Sequence, residues 1–128
     1  MTDYLTSEQI LFLHARLIEE TGGSHGLRDP ALLLSAVARP RATFDSKDLY
    51  PDVFQKAAAL MESLIRNHPF VDGNKRTGIA GAAIFLRRNR YSLTSTNREL
   101  EEFTLRVSRS EVDLTDIADW LKSNRIKV

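Results

Sequence analysis

Apolar positions return at three- and four-residue spacing along most of this chain, and the stretches are separated by helix-cap signals. Thr6-Ser7-Glu8-Gln9 has the pattern of a capping box. Ile10, Leu13, Leu17 and Ile18 follow at helical spacing until Gly22-Gly23 supplies a stop. Asp29-Pro30 sets a cap residue before a proline suited to a first helical turn, so Ala31 to Ala38 is expected as a short helix that Pro40 ends. A third helix is predicted from about Pro51 to Asn67, with Phe54, Ala57, Ala58, Met61, Leu64 and Ile65 on its apolar face. Pro69 disfavours helical geometry at His68 and should stop it. A fourth helix is predicted from near Asn74 to near Asn89. Thr96-Asn97-Arg98-Glu99 is a second capping box, opening a helix that carries Leu100, Phe103, Leu105 and Val107. Asp113 to Asn124 is read as a last helix, with Leu114, Ile117, Ala118 and Leu121 inward and Trp120 as a partly buried anchor.

Between the second and third helices, Arg41 to Asp52 keeps no period and mixes charge with Phe44, Leu49 and Tyr50; it is read as a loop that could serve as a flap. Tyr91-Ser92-Leu93 is read as a brief extended link. The fourth helix contains Gly78 and Gly81 among alanines. Each glycine costs about 1 kcal/mol against alanine in a helix interior, which close packing by neighbours would offset. That places this small-residue-rich helix at the centre. The expectation is an all-α fold of about six helices in one domain, 1–128, with no repeat or low-complexity tract.

Composition narrows the classes. With 128 residues, 42% hydrophobic and 27% charged, the chain suits one globular core. A formal charge of +1 argues against a protein built around a polyanion, so direct nucleic-acid binding is not expected. The absence of cysteine excludes disulfides and thiolate zinc sites. No run approaches a membrane span and the N-terminus lacks a basic, then apolar leader, so a cytoplasmic protein is expected.

The unusual chemistry is concentrated from His68 to Thr77: His-Pro-Phe-Val-Asp-Gly-Asn-Lys-Arg-Thr, between two predicted helices. A loop feeding a helix N-terminus gathers unpaired backbone N–H groups and the positive end of the dipole, which suits an anion. Gly73 permits a tight turn, and Asn74, Lys75 and Arg76 add donors suited to a polyphosphate. Asp72 is the hard oxygen ligand that magnesium takes beside phosphates, and His68 can accept a proton near neutral pH. Phe70 should anchor the loop to the core. His14, beside apolar residues on the first helix, reads as a partly buried, hydrogen-bonded histidine, and His25 as a loop residue.

This segment resembles the motif of the Fic/Doc family, His-x-Phe-x-(Asp/Glu)-Gly-Asn-Gly-Arg-x-x-Arg. His68, Phe70, Asp72, Gly73, Asn74 and Arg76 agree with it. Lys75, where most members have glycine, is similar to the death-on-curing (Doc) branch, as are Gly26-Leu27-Arg28-Asp29-Pro30 and Phe85-Leu86-Arg87-Arg88-Asn89. The final arginine of the motif falls on Ile79.

The resemblance implies a toxin restrained by a cognate antitoxin. In it, His68 takes the proton of an acceptor hydroxyl, Asp72 holds magnesium, and Gly73, Asn74, Lys75 and Arg76 bind ATP. For the Doc branch it implies transfer of the γ-phosphoryl group to elongation factor Tu, inhibiting translation. The alternatives are AMP transfer and a catalytically inactive binding module. Lys75 and Ile79 both disfavour the AMP-transfer pose: one puts a long cation where glycine leaves room, and the other removes a phosphate clamp. No Ser/Thr-x-x-x-Glu-Gly/Asn self-inhibiting pattern is found, since Ser95 to Glu99 is followed by Leu100. Restraint is therefore expected from a separate chain, docked near the flap residues Phe44, Leu49 and Tyr50 and the central helix.

Overall fold

The computed structural model describes residues Met1–Val128 and contains six α-helices and four short strands. Helix α1, Ser7–Thr21, opens on the Thr6–Gln9 capping box, and its C-cap is Gly22 at φ 84°. Helix α2, Pro30–Ala38, takes Asp29 as N-cap, its carboxylate accepting from Ala31 and Leu32 N–H. Pro40 does not simply end this helix: the chain tightens into a 3-10 turn over Arg39–Arg41 with Pro40 buried inside it. Proline has no N–H to lose in such a turn.

Helix α3, Val53–Arg66, has a second capping box, Asp52 with Gln55, and ends at Asn67. Helix α4, Asn74–Arg88, starts from Gly73 at φ 78°. Helix α5, Asn97–Ser108, carries the predicted Thr96–Glu99 box, and α6, Leu114–Ser123, is capped by Asp113. Trp120 is half-buried and stacked on Phe103 with ring centroids 4.1 Å apart, the anchoring role expected of it.

One expectation needs correction, and another holds with a partner added. The stretch 41–52 is not structureless: β1, Thr43–Phe44, pairs antiparallel with β2, Lys47–Asp48, through a tight turn at Asp45 and Ser46, both with positive φ. Lacking an Asn-Gly or Asp-Gly pair, that turn carried no strong hairpin signal. The extended link Tyr91–Leu93 is strand β3, and it pairs antiparallel with β4, Arg125–Lys127.

The centre of the molecule is shared by α3 and α4. Helix α3 packs against α2, α4, α5 and α6, and buries ten of its residues, more than any other helix. The glycines of α4 report how near it lies to α3. A Cβ on Gly78 would meet Ile65 Cγ1 at 2.5 Å and the Met61 carbonyl at 3.3 Å, whereas one on Gly81 would find nothing closer than 3.4 Å. Helix α4 is thus one of a central pair rather than the sole axis, with Ile84 on its outer face exposed. No helix is long and apolar enough to cross a membrane.

Candidate active site

The segment joining α3 to α4 is bonded along nearly its whole length. Arg28 donates from Nε to the His68 carbonyl at 2.6 Å and from Nη2 to the Asn67 carbonyl at 2.8 Å, covering the end of α3. Arg28 and Asp29 N–H both donate to the Pro69 carbonyl, and Val71 N–H donates to Gly26 O, so residues 26–29 run alongside the motif like a partner strand. Asn74 clasps Phe70 from both sides: its Oδ1 accepts from Phe70 N–H and its Nδ2 donates to Phe70 O, each at 3.0 Å. Phe70 is buried, as expected of the loop's anchor, and its ring stacks on His14 at 3.8 Å and 5°.

On the outer side lies a shallow cavity of about 280 Å³ lined by His68, Val71, Asp72, Gly73, Lys75 and Arg76, with Asn74 beneath. His68 is exposed and holds φ 52°, a left-handed conformation that costs a non-glycine residue on the order of 1–2 kcal/mol. Its Nδ1 lies 3.4 Å from Asn74 Nδ2. The double clasp on Phe70 fixes the orientation of the Asn74 amide, so Nδ2–H is the donor and the contact favours the neutral imidazole protonated at Nε2. In that tautomer the free lone pair is on Nδ1, so a proton taken there displaces this long contact.

The Asp72 carboxylate accepts from Ser24 N–H at Oδ2, 3.1 Å, and from Gly73 N–H at Oδ1, 2.8 Å. These bonds, from Ser24 first and then Gly73, hold its pKa below the ordinary aspartate value against some loss of solvent, with the Arg76 charge adding to the effect. Because the folded value is depressed, the associated stability is present above the unfolded pKa and is lost as pH falls through the folded one. At neutral pH the group is an anion.

The structure brings His68, Asp72, Gly73 and Lys75 to one cavity but treats two motif residues differently from expectation. Asn74 is expected as a phosphate ligand, yet its carboxamide is buried, clasps Phe70 and reaches outward only to His68 Nδ1; its backbone N–H, in the unpaired first turn of α4, is what it leaves for an anion. Arg76 does reach the cavity. Its Nη1, however, donates to the Thr21 hydroxyl and, at 2.7 Å, to the Gly22 carbonyl, while Nη2 stands 3.8 Å from Asp72 Oδ1. To meet a phosphate it must exchange these partners.

Sequence reasoning missed the other wall of the site, residues 21–24. Gly23, at φ 116°, passes so close that a Cβ would stand 2.6 Å from Asp72 Oδ2 and 2.9 Å from Arg76 Nη2. The paired glycines after α1 signalled only a helix stop; that one of them also meets a ligand-type carboxylate is a long-range fact.

The donor set suits magnesium carried on a nucleotide. Asp72 supplies one half-exposed anionic carboxylate, and no cluster of three His, Asp or Glu side chains gathers anywhere to cage an ion with protein ligands alone. Magnesium commonly binds through one or two carboxylates with phosphate oxygens and water. Beside Lys75 and Arg76 an apolar groove of about 630 Å³ continues between α1, α4 and α5, floored by Leu17, Ile79, Ala80 and Leu100. Glu99 is engaged in the capping box of α5, accepting from Thr96 N–H at 2.9 Å.

A small helical domain with a histidine, a carboxylate and two cations at one helix N-terminus defines a class, and comparison with known proteins names it. A sequence model described as the Fic/DOC family matches residues 4–86. "Toxin Doc" of Mycolicibacterium smegmatis is 42% identical over 120 residues, covering 92% of this chain and 90% of that protein. "Protein kinase doc" of Escherichia phage P1 is 29% identical over 119 residues, covering 93% of each. The chain belongs to the Fic/Doc family, in its Doc toxin branch.

Proposed function

We propose that this chain transfers the γ-phosphoryl group of ATP to a protein hydroxyl, acting in the cytoplasm as the toxin of a toxin–antitoxin pair. The observation that carries the reading is the meeting, in one open cavity, of an exposed histidine, an ionised carboxylate and two cations at the unpaired N-terminus of α4. Phosphoryl transfer asks a protein mainly to position and neutralise, and this constellation does both.

In the reaction, the acceptor oxygen bonds to the γ-phosphorus as the bond to the β,γ-bridging oxygen breaks, and the acceptor proton passes to His68. Asp72 would hold magnesium, which would supply neutralisation of charge on the phosphates. Lys75, exposed in the first turn of α4, and the backbone N–H groups of residues 74–76 hold the phosphates. Arg76 joins them on leaving Thr21 and Gly22.

Phosphoryl rather than AMP transfer is favoured because Ile79, half-buried against the core and lining the groove, offers no second guanidinium there. The smegmatis relative's name supports the toxin reading and the phage relative's name the kinase reading. Elongation factor Tu is the acceptor that the family resemblance suggests, with inhibited translation as the outcome. With Glu99 engaged in its cap, restraint falls to an antitoxin chain, for which exposed Phe44 and Leu49 and the apolar groove offer surface. Tyr50 offers less, because its hydroxyl accepts from Arg39 Nε at 3.0 Å.

The test is incubation of wild type and His68→Ala with cell lysate and ATP labelled on either the γ- or the α-phosphate. Label from the γ position on one protein, with wild type only, is the expected result. Label from the α position would make the chain an AMP transferase, and neither label would make it an inactive binding module.

A further inference from the structure

We propose that His14, outside the motif, is a positioning residue that sets the orientation of the Asp72–Gly73 peptide. The proposal rests on the magnesium-nucleotide reading of the site given above. His14 lies on the buried stripe of α1 with Ile10 and Ile18, and only 4% of it is exposed. Its Nε2 stands 2.7 Å from the Asp72 carbonyl oxygen, across 58 residues of sequence. A carbonyl can only accept, so the imidazole carries its hydrogen on Nε2 and donates.

The consequence follows from peptide geometry. In a planar trans peptide the C=O and the next N–H point in opposite directions, so fixing one fixes the other. Drawing the Asp72 carbonyl inward, to a buried ring, turns Gly73 N–H outward. There it donates to Asp72 Oδ1 at 2.8 Å, which with Ser24 N–H aims the carboxylate at the cavity. Glycine at φ 78° gives that peptide freedom to rotate, so an external restraint is needed.

The ring is itself braced. It lies flat on Phe70, whose N–H and carbonyl are both held by Asn74. Stacking and donation are separate jobs of one side chain, and two substitutions separate them. His14→Phe keeps an aromatic ring against Phe70 but has no donor. His14→Gln loses the ring, but its side-chain N–H reaches about as far as Nε2.

The experiment reads ligand-free and ligand-bound protein separately. In the ligand-free full chain, NMR should find the His14 ring hydrogen on Nε2 of wild type. Exchange of the Gly73 amide should speed about tenfold in His14→Phe and return to within about threefold of wild type in His14→Gln. Calorimetry with Mn²⁺ and an ATP analogue carrying an imido β,γ-bridge should show affinity falling about tenfold or more in His14→Phe and recovering in His14→Gln, the scale seen when groups behind metal ligands are removed.

A role in packing alone predicts the reverse order, with His14→Phe near wild type and His14→Gln impaired, and that order overturns the proposal. A wild-type ring without hydrogen on Nε2 overturns it even if a variant does not fold. Wild type that binds no Mn²⁺-nucleotide refutes the proposed function instead, and the Gly73 exchange rates still decide the role of His14.

Discussion

Two connections flank α3, and they are built to opposite specifications. The one leading in, residues 39–52, stands away from the body as the β1–β2 hairpin, and every residue from Thr43 to Leu49 is exposed. It is held at its root on α3, where Lys56 Nζ donates to Asp48 Oδ2 at 3.0 Å and to the Pro40 carbonyl, and Arg39 Nη1 donates to Glu62 Oε1 at 2.8 Å and Ser63 Oγ at 3.0 Å. The one leading out, residues 67–73, has the carbonyls of Asn67, His68, Pro69, Phe70 and Asp72 all accepting hydrogen bonds from α1, residues 28–29 or Asn74. On the proposed function, the outgoing segment has reacting groups to hold within a fraction of an ångström, and such redundancy suits that task. The hairpin, if it is the antitoxin's docking surface, needs only a fixed root.

The sharpest way to probe the outgoing connection is His68→Gly. Transfer should fall by roughly 10²–10⁴-fold for loss of a general base, while thermal unfolding should show a gain of about 1 kcal/mol as the left-handed strain at φ 52° is relieved. Retained transfer with unchanged stability would mean that His68 is neither base nor strained. Asp72→Asn comes next. Losing the anionic ligand should cut transfer on the order of a hundredfold, and higher magnesium should restore only part of it.

Arg28→Ala removes two charge-assisted bonds from the end of α3 without touching any reacting group. A rate loss of about tenfold is expected, with about 1–2 kcal/mol of stability lost in denaturant titrations. A variant as active as wild type would show that the outgoing connection holds more bonds than its task needs.

On the incoming connection, Lys56→Met replaces an ammonium that is 2% exposed and frees Asp48. Replacing a buried charge by an apolar chain of similar length should leave stability within about 1 kcal/mol. Trypsin should cut faster at Lys47 as the hairpin loses its root. The smallest effect belongs to Phe44→Ser, 77% exposed in wild type: unfolding within about 0.5 kcal/mol of wild type, with any loss confined to KM for the protein acceptor.

These same two connections mark how far the sequence could be read. The helices were legible because their caps are local: Thr6 with Gln9 and Thr96 with Glu99 each announce a start within four residues. The grouping of the outgoing connection was legible too, since His68, Asp72, Gly73 and Lys75 lie within eight residues of one another and line one cavity. What escaped is what other segments supply. Gly23 and Ser24 closing on Asp72, and Arg28 covering the α3 carbonyls, depend on contacts some forty to fifty residues away in the chain. Asn74 shows the limit from within the motif. Its type and spacing match the motif, but nothing in a linear pattern says that its amide turns inward. The β3–β4 pairing was invisible for the same reason, because two three-residue strands declare themselves only once they meet.

The contact between Gly78 and Ile65 also leaves a mark on inheritance. With a Cβ held off by a branched side chain at 2.5 Å and by the Met61 carbonyl behind it, neither position can drift alone. Alanine at 78 becomes acceptable only in a lineage where residue 65 has already been trimmed, and a bulkier residue at 65 finds no room while α4 keeps its place. Across descendants of this chain the two positions should therefore change in pairs, as spatial neighbours do. Gly81, whose nearest neighbour is Ile10 Cδ1 at 3.4 Å, is free to wander to alanine by itself. An ancestry in which 78 varies while 65 stays isoleucine would mean that the two central helices have slid apart.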